Sequence, residues 1–160
     1  MHSLGILGVG ALTETIVRGL RRSGFDGPIR LSPRNAGRAQ VLAAELACEV
    51  MPDNQAVVDN VDILLLGVRP DAVTQLAAEI RIKPGQRLLS LVAGLHLHTL
   101  QATFAEAVCV RVMLSCAAQL NQTTVVVYPP DPTTQALLDP LGSQVALSND
   151  GERNAFTLAG

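Results

Sequence analysis

Short runs of β-forming residues alternate with stretches of helical period from Leu4 to Leu147, and the run Val61–Leu66 is apolar at every position but Asp62. A strand with so little polar alternation is buried on both faces, which is the mark of a parallel sheet. Helices linking parallel strands cross over with one hand and cover both faces of the sheet. The sequence therefore predicts an α/β fold: a doubly wound, mostly parallel sheet with helices on both faces. Strands are expected at Leu4–Leu7, Ile29–Leu31, Cys48–Met51, Val61–Leu66, Arg87–Val92, Val108–Met113, Thr124–Tyr128 and Gln144–Leu147. Helices are expected at Ala11–Arg22, Asn35–Leu46, Asp53–Asp59, Pro70–Ile80, Leu97–Phe104 and Thr133–Leu138. In such a sheet the strand-to-helix loops gather along the carboxyl edge, where ligands bind. Those loops are 8–11, 32–35, 51–54, 67–71, 93–96 and 114–117.

The first loop reads Gly8-Val9-Gly10-Ala11-Leu12-Thr13. It follows a strand and opens a helix, the context in which a GxGxxG-like run signals a dinucleotide. Gly8 permits a tight turn, and Gly10 removes a Cβ where backbone must approach a pyrophosphate. The amides at the helix start and the positive end of its dipole then receive the anion. Thr13 stands where Gly or Ala is usual, a bulkier residue at the helix–strand contact. The second strand ends in Leu31-Ser32-Pro33-Arg34-Asn35, without the Asp or Glu that accepts from the ribose 2′-OH of NAD. Ser32 can donate to a 2′-phosphate and Arg34 can pair with one, so the expected cofactor is NADP (NADPH). The expected fold is Rossmann-like.

Composition narrows the function classes. At 160 residues one domain is expected, over 1–150. Twelve basic and fourteen acidic residues give a net charge of −2, and no basic run is present to neutralise phosphate backbones. With 2% aromatic residues the chain lacks platforms for base stacking, so nucleic acid is not an expected partner. No apolar run approaches the length of a membrane span, and Glu14 comes too early for a signal peptide. Three cysteines, Cys48, Cys109 and Cys116, form no CxxC pair, which argues against a disulfide framework or a zinc site. A reducing, cytoplasmic location is expected, and no metal. Charged residues are 16%, below the roughly 25% of ordinary soluble domains, so part of the surface is expected to be apolar or covered.

Five motifs in order resemble the N-terminal domain of the pyrroline-5-carboxylate reductase family. They are Gly8-Val9-Gly10-Ala11-Leu12-Thr13-Glu14 for its GxGxxA turn, Ser32-Pro33-Arg34 for its 2′-phosphate loop, and Asp53-Asn54 for the pair near the adenosine ribose. Gly67-Val68-Arg69-Pro70 stands for its Ala-Val-Lys-Pro, and Ser90-Leu91-Val92-Ala93-Gly94 for its Ser-x-Ala-Ala-Gly. The resemblance implies cofactor contacts at Gly8, Val9, Gly10, Ala11, Leu12, Ser32, Arg34, Asn54, Val68, Arg69, Pro70, Ala93 and Gly94. It implies NADPH-dependent reduction of a small cyclic imine in proline biosynthesis. It also implies a helical C-terminal domain that forms a homodimer and supplies much of the substrate pocket. Residues 151–160 are expected to begin that domain, and the 160 residues alone are expected to be inactive.

The chain departs from this pattern after Arg111-Val112-Met113. The family has Pro-Asn-Thr-Pro beside nicotinamide and substrate, whereas this chain has Leu114-Ser115-Cys116-Ala117. Met113, Leu114, Ser115 and Cys116 are therefore the candidate substrate loop, and no catalytic residue is assigned. Two other readings stand beside the imine reductase: a catalytically silent NADP-binding module serving regulation or assembly, and another NADP-dependent reductase such as a deazaflavin:NADP oxidoreductase. His96 and His98 lack a third ligand, Cys116 lacks an activating base, and Arg69 can reach either a cofactor phosphate or Asp71. Glu14 suits the helix dipole.

Overall fold

The structure, a computed structural model, describes residues 2–147. Its strands are β1 (Leu4–Leu7), β2 (Ile29–Leu31), β3 (Glu49–Val50), β4 (Ile63–Leu66), β5 (Arg87–Ser90), β6 (Val108–Met113), β7 (Thr123–Tyr128) and β8 (Gly142–Ala146). They form one eight-stranded sheet in the order β3-β2-β1-β4-β5-β6-β7-β8. The helices are α1 (Ala11–Arg22), α2 (Ala36–Leu46), α3 (Asn54–Asp59), α4 (Val73–Glu79), α5 (Leu97–Thr103) and α6 (Pro132–Leu138). Of the expected domain over 1–150, residues 2–147 are described. The expected start of a further domain at 151–160 lies outside them.

Alternation along β1 divides the core. Ile6 packs with Ile16, Val17 and Leu20 of α1 and Ala39 and Leu42 of α2 on one face. Leu7 packs with Val57 and Val58 of α3, Val73 and Leu76 of α4 and Leu100 of α5 on the other. The helices thus cover both faces, as a parallel sheet requires. β4 begins at Ile63 rather than Val61, because the Asp62 amide donates to the side-chain and backbone oxygens of Ser3 instead of to a neighbouring strand. Pro70 opens a 3-10 turn, Pro70–Ala72, before α4 takes over.

Every neighbouring strand pair is parallel except β6–β7. The reason is the connection, residues 114–122. A parallel return needs a crossover of a dozen or more residues. Here the link holds only the five-residue 3-10 segment Cys116–Leu120, so β7 comes back antiparallel. That segment lies against α1. The Asn121 amide donates to the carbonyls of Gly19 at 3.0 Å and Pro140 at 2.9 Å. A Cβ on Gly19 would fall inside contact distance of the Ala118 carbonyl oxygen and 2.6 Å from Leu141 Cδ2. α1 and the 3-10 segment therefore meet backbone to backbone.

Candidate cofactor site

The loop after β1 is built around two glycines with different reasons for being glycine. Gly8 has φ +94°, and a Cβ there would lie 2.8 Å from the Gly67 carbonyl carbon and the Val68 amide nitrogen. The fold itself demands that glycine, because the loops after β1 and β4 abut. Gly10 has φ −130°, which any residue adopts, and a Cβ there would meet nothing within 4 Å. Neither conformation nor packing requires a glycine at 10. The open space lies at the start of a twelve-residue helix, whose first amides, at Ala11 and Leu12, have no acceptor within the helix. Open space before the N-terminus of a helix suits an anion.

Thr13 explains its own departure from the usual pattern. Its hydroxyl accepts from the Gly10 amide at 2.9 Å and lies 3.1 Å from the Gly8 carbonyl, to which it can donate. The Gly10 amide is thus occupied within the protein. The Thr13 methyl fits because residue 67 is glycine: a Cβ there would stand 2.5 Å from Thr13 Cγ2.

The second loop is fastened to the first, since the Asn35 side-chain amide donates to the Val9 carbonyl at 2.9 Å. Ser32 does not face outward as a free donor. It is 2% exposed, and its hydroxyl donates to Asn54 Oδ1 at 2.7 Å. Asn54 Nδ2 donates in turn to Glu79 Oε2 at 3.1 Å, and the other Glu79 oxygen pairs with the Arg34 guanidinium. Ser32, Arg34 and Asn54 are thus brought together as the sequence implied, with an acid among them that the sequence did not show. Glu79 ends α4, forty-five residues from Arg34, and nothing local to the second loop announces it. Asp53 starts α3 by accepting from the Ala56 amide at 2.8 Å.

Beside the phosphate loop, Glu14 bridges Arg18 at 2.9 Å and Arg38 at 2.8 Å. Burial pushes its carboxyl up, but the two guanidiniums outweigh that and hold it below the usual carboxylate range. Glu14 therefore answers the cations of α1 and α2 and presents little free negative charge to an incoming phosphate.

Of the remaining candidates, Val68 packs beside Gly8, while Arg69 is 86% exposed, with Nη2 3.5 Å from Asp71. Pro70 is exposed at the start of its turn. Ala93 and Gly94 are exposed on the loop after β5, with Gly94 at φ +74°. Met113 and Leu114 are buried, whereas Ser115 and Cys116 are exposed. The Ser115 amide donates to Thr123 Oγ1 at 2.9 Å, and the two hydroxyls lie 3.1 Å apart. His96 and His98 stack at 6.2 Å on one another, and no group of three or more metal-ligating side chains gathers among the described residues.

A family model described as NADP oxidoreductase, coenzyme F420-dependent, matches residues 3–94, which span all the cofactor loops above. The chain belongs to that family. This F420-dependent NADP oxidoreductase family binds NADP, and NADP is the cofactor the chain's fold serves. Curated relatives carry a more specific name. The chain is 28% identical over 123 residues to a pyrroline-5-carboxylate reductase of Pseudomonas aeruginosa, covering 74% of this chain and 45% of the relative. It is 29% identical over 126 residues to one of Glycine max, covering 76% and 46%. The chain thus spans about half the length of the curated relatives it matches. Among solved structures, a 1-pyrroline-5-carboxylate reductase of Streptococcus pyogenes superposes with a TM-score of 0.81 at 25% identity, covering 99% of this chain and 63% of that one. A pyrroline carboxylate reductase of Plasmodium falciparum, solved with NADP bound, shares the fold with a TM-score of 0.82 at 15% identity, covering 99% and 62%. No helix among the described residues is long and apolar enough to cross a membrane.

Proposed function

We propose that the chain is the NADPH-binding portion of a pyrroline-5-carboxylate reductase-like enzyme, acting on a small cyclic imine in proline biosynthesis. The observation that carries the reading is Gly10, a glycine that the protein's own conformation and packing do not need but a pyrophosphate does. NADPH, when bound, supplies a hydride from its nicotinamide. The chain's own residues hold and orient it: the amides of Ala11 and Leu12 take the pyrophosphate, Arg34 the 2′-phosphate, and Asn54 the ribose. Val68, Arg69 and Pro70, then Ala93 and Gly94, border the path toward Met113, Leu114, Ser115 and Cys116 at the substrate end. The homodimer implied by the motif resemblance belongs to the same proposal for the whole enzyme. A cytoplasmic location belongs to the same proposal.

Calorimetric titration of the chain with both cofactors tests the cofactor assignment. NADPH should bind at least about tenfold tighter than NADH, about 1.4 kcal/mol, and Arg34→Ala should abolish most of that gap. Equal affinities, or a preference that survives Arg34→Ala, overturn the 2′-phosphate assignment.

The silent-module reading has one observation in its favour. Ser115 is tied to Thr123, and the segment after it is wedged against α1, so this loop is built differently from a proline-framed one. Adding pyrroline-5-carboxylate to the NADPH-loaded 160-residue chain should leave the nicotinamide absorbance unchanged, although NADPH binding saturates. On this reading the substrate is clamped by parts of the enzyme beyond these residues, and the positioning contribution, about 7–11 kcal/mol in favourable cases, comes with them. Turnover of about 1 per second or more would show that these residues suffice.

A further inference from the structure

We propose that Glu79 is the specificity-determining residue of the 2′-phosphate pocket: its carboxylate holds Arg34 and Asn54, and a 2′-phosphate has to compete with it for Arg34. The proposal rests on the cofactor reading above and deepens it. The four side chains form a continuous chain of bonds that joins the loop after β2 to the start of α3 and the end of α4. Ser32 donates to Asn54 Oδ1, Asn54 Nδ2 donates to Glu79 Oε2, and Glu79 Oε1 accepts from Arg34 Nη2. One end of this chain is buried and the other is open to solvent: Ser32 lies in the core, whereas the Arg34 side chain is 59% exposed.

The consequence is electrostatic. Arg34 is the guanidinium offered to a 2′-phosphate, and its Nη2 is paired with a carboxylate. A phosphate arriving at Arg34 meets the negative charge of Glu79 across the same guanidinium. A ribose 2′-hydroxyl meets no such repulsion, and can donate to a Glu79 oxygen as it would to the strand-end acid that the second loop lacks. Glu79 therefore opposes NADPH and favours NADH, moderating the preference that Arg34 creates. The carboxylate reaches the pocket from the end of α4, where the helix dipole disfavours negative charge, so its presence there is not explained by helix stability.

The test is cofactor binding measured by calorimetry on the 160-residue chain and on Glu79→Gln. Gln keeps an oxygen to accept from Asn54 and removes the charge. Removing one charge facing a phosphate should raise the ratio of NADPH to NADH affinity on the order of tenfold, chiefly through tighter NADPH. Glu79→Ala should raise it similarly, which separates the charge from the hydrogen bond. In an Arg34→Ala background the effect of Glu79→Gln should shrink, because the residue it holds is gone. An unchanged ratio in Glu79→Gln, with both cofactors still binding, overturns the assignment of Glu79 alone. Failure of the wild-type chain to bind either cofactor overturns the cofactor reading and this proposal together.

Discussion

Gly10→Val should bring saturable NADPH binding below detection while leaving the thermal midpoint within about 4 °C of the parent chain. The fold should tolerate the change, because residue 10 lies in extended backbone and its missing Cβ points into space with no atom within 4 Å. The small expected loss reflects Val as a poorer helix cap than Gly. Binding should not tolerate it. A branched side chain would stand over the amides of Ala11 and Leu12, where the pyrophosphate has to sit, and loss of that contact should cost about a hundredfold or more, close to 3 kcal/mol. The paired readout makes the result decisive. Normal NADPH binding by a folded Gly10→Val chain would mean that the loop is a structural turn and not a phosphate site.

Gly19→Ala should lower stability by about 2 kcal/mol, a fall of about 4–8 °C in the midpoint. The sign runs against helix propensity, which awards Ala about 1 kcal/mol over Gly inside a helix. Residue 19 is in the middle of α1, so a surface glycine there would gain from the exchange. Its α-carbon instead lies against the Ala118 carbonyl, and the added methyl has to displace backbone as well as Leu141. The Asn121 bond to the Gly19 carbonyl goes with that displacement. Thermal or urea unfolding of the variant measures the effect, and a more stable Gly19→Ala chain would show that the 3-10 segment yields without cost.

These two glycines also show what the sequence could and could not disclose. The strand–helix alternation, the limits of α1 and the glycine turn before it were readable because each depends on neighbours in sequence: periodicity, a cap, a turn. The expectation of a mostly parallel sheet survives the antiparallel β7, whose direction follows from a short connection. What was not readable depends on residues far apart in the chain. Glu79 reaches the second loop from the end of α4, and Ser32 turns inward to Asn54 rather than outward to solvent. The contact of Gly19 with Ala118 lies across about a hundred residues and carries no local signal. Nothing in a run of amino acids marks which distant helix end will supply a charge.

The fit of Thr13 into the gap left by Gly67 makes two distant positions one packing unit. A methyl at 67 would stand 2.5 Å from Thr13 Cγ2, so the β-branched residue on the helix and the glycine on the facing loop each make room for the other. The Thr13 hydroxyl also takes up the Gly10 amide. A change at 67 is therefore felt at the loop after β1, and two motifs that are read separately along the sequence answer to a single contact.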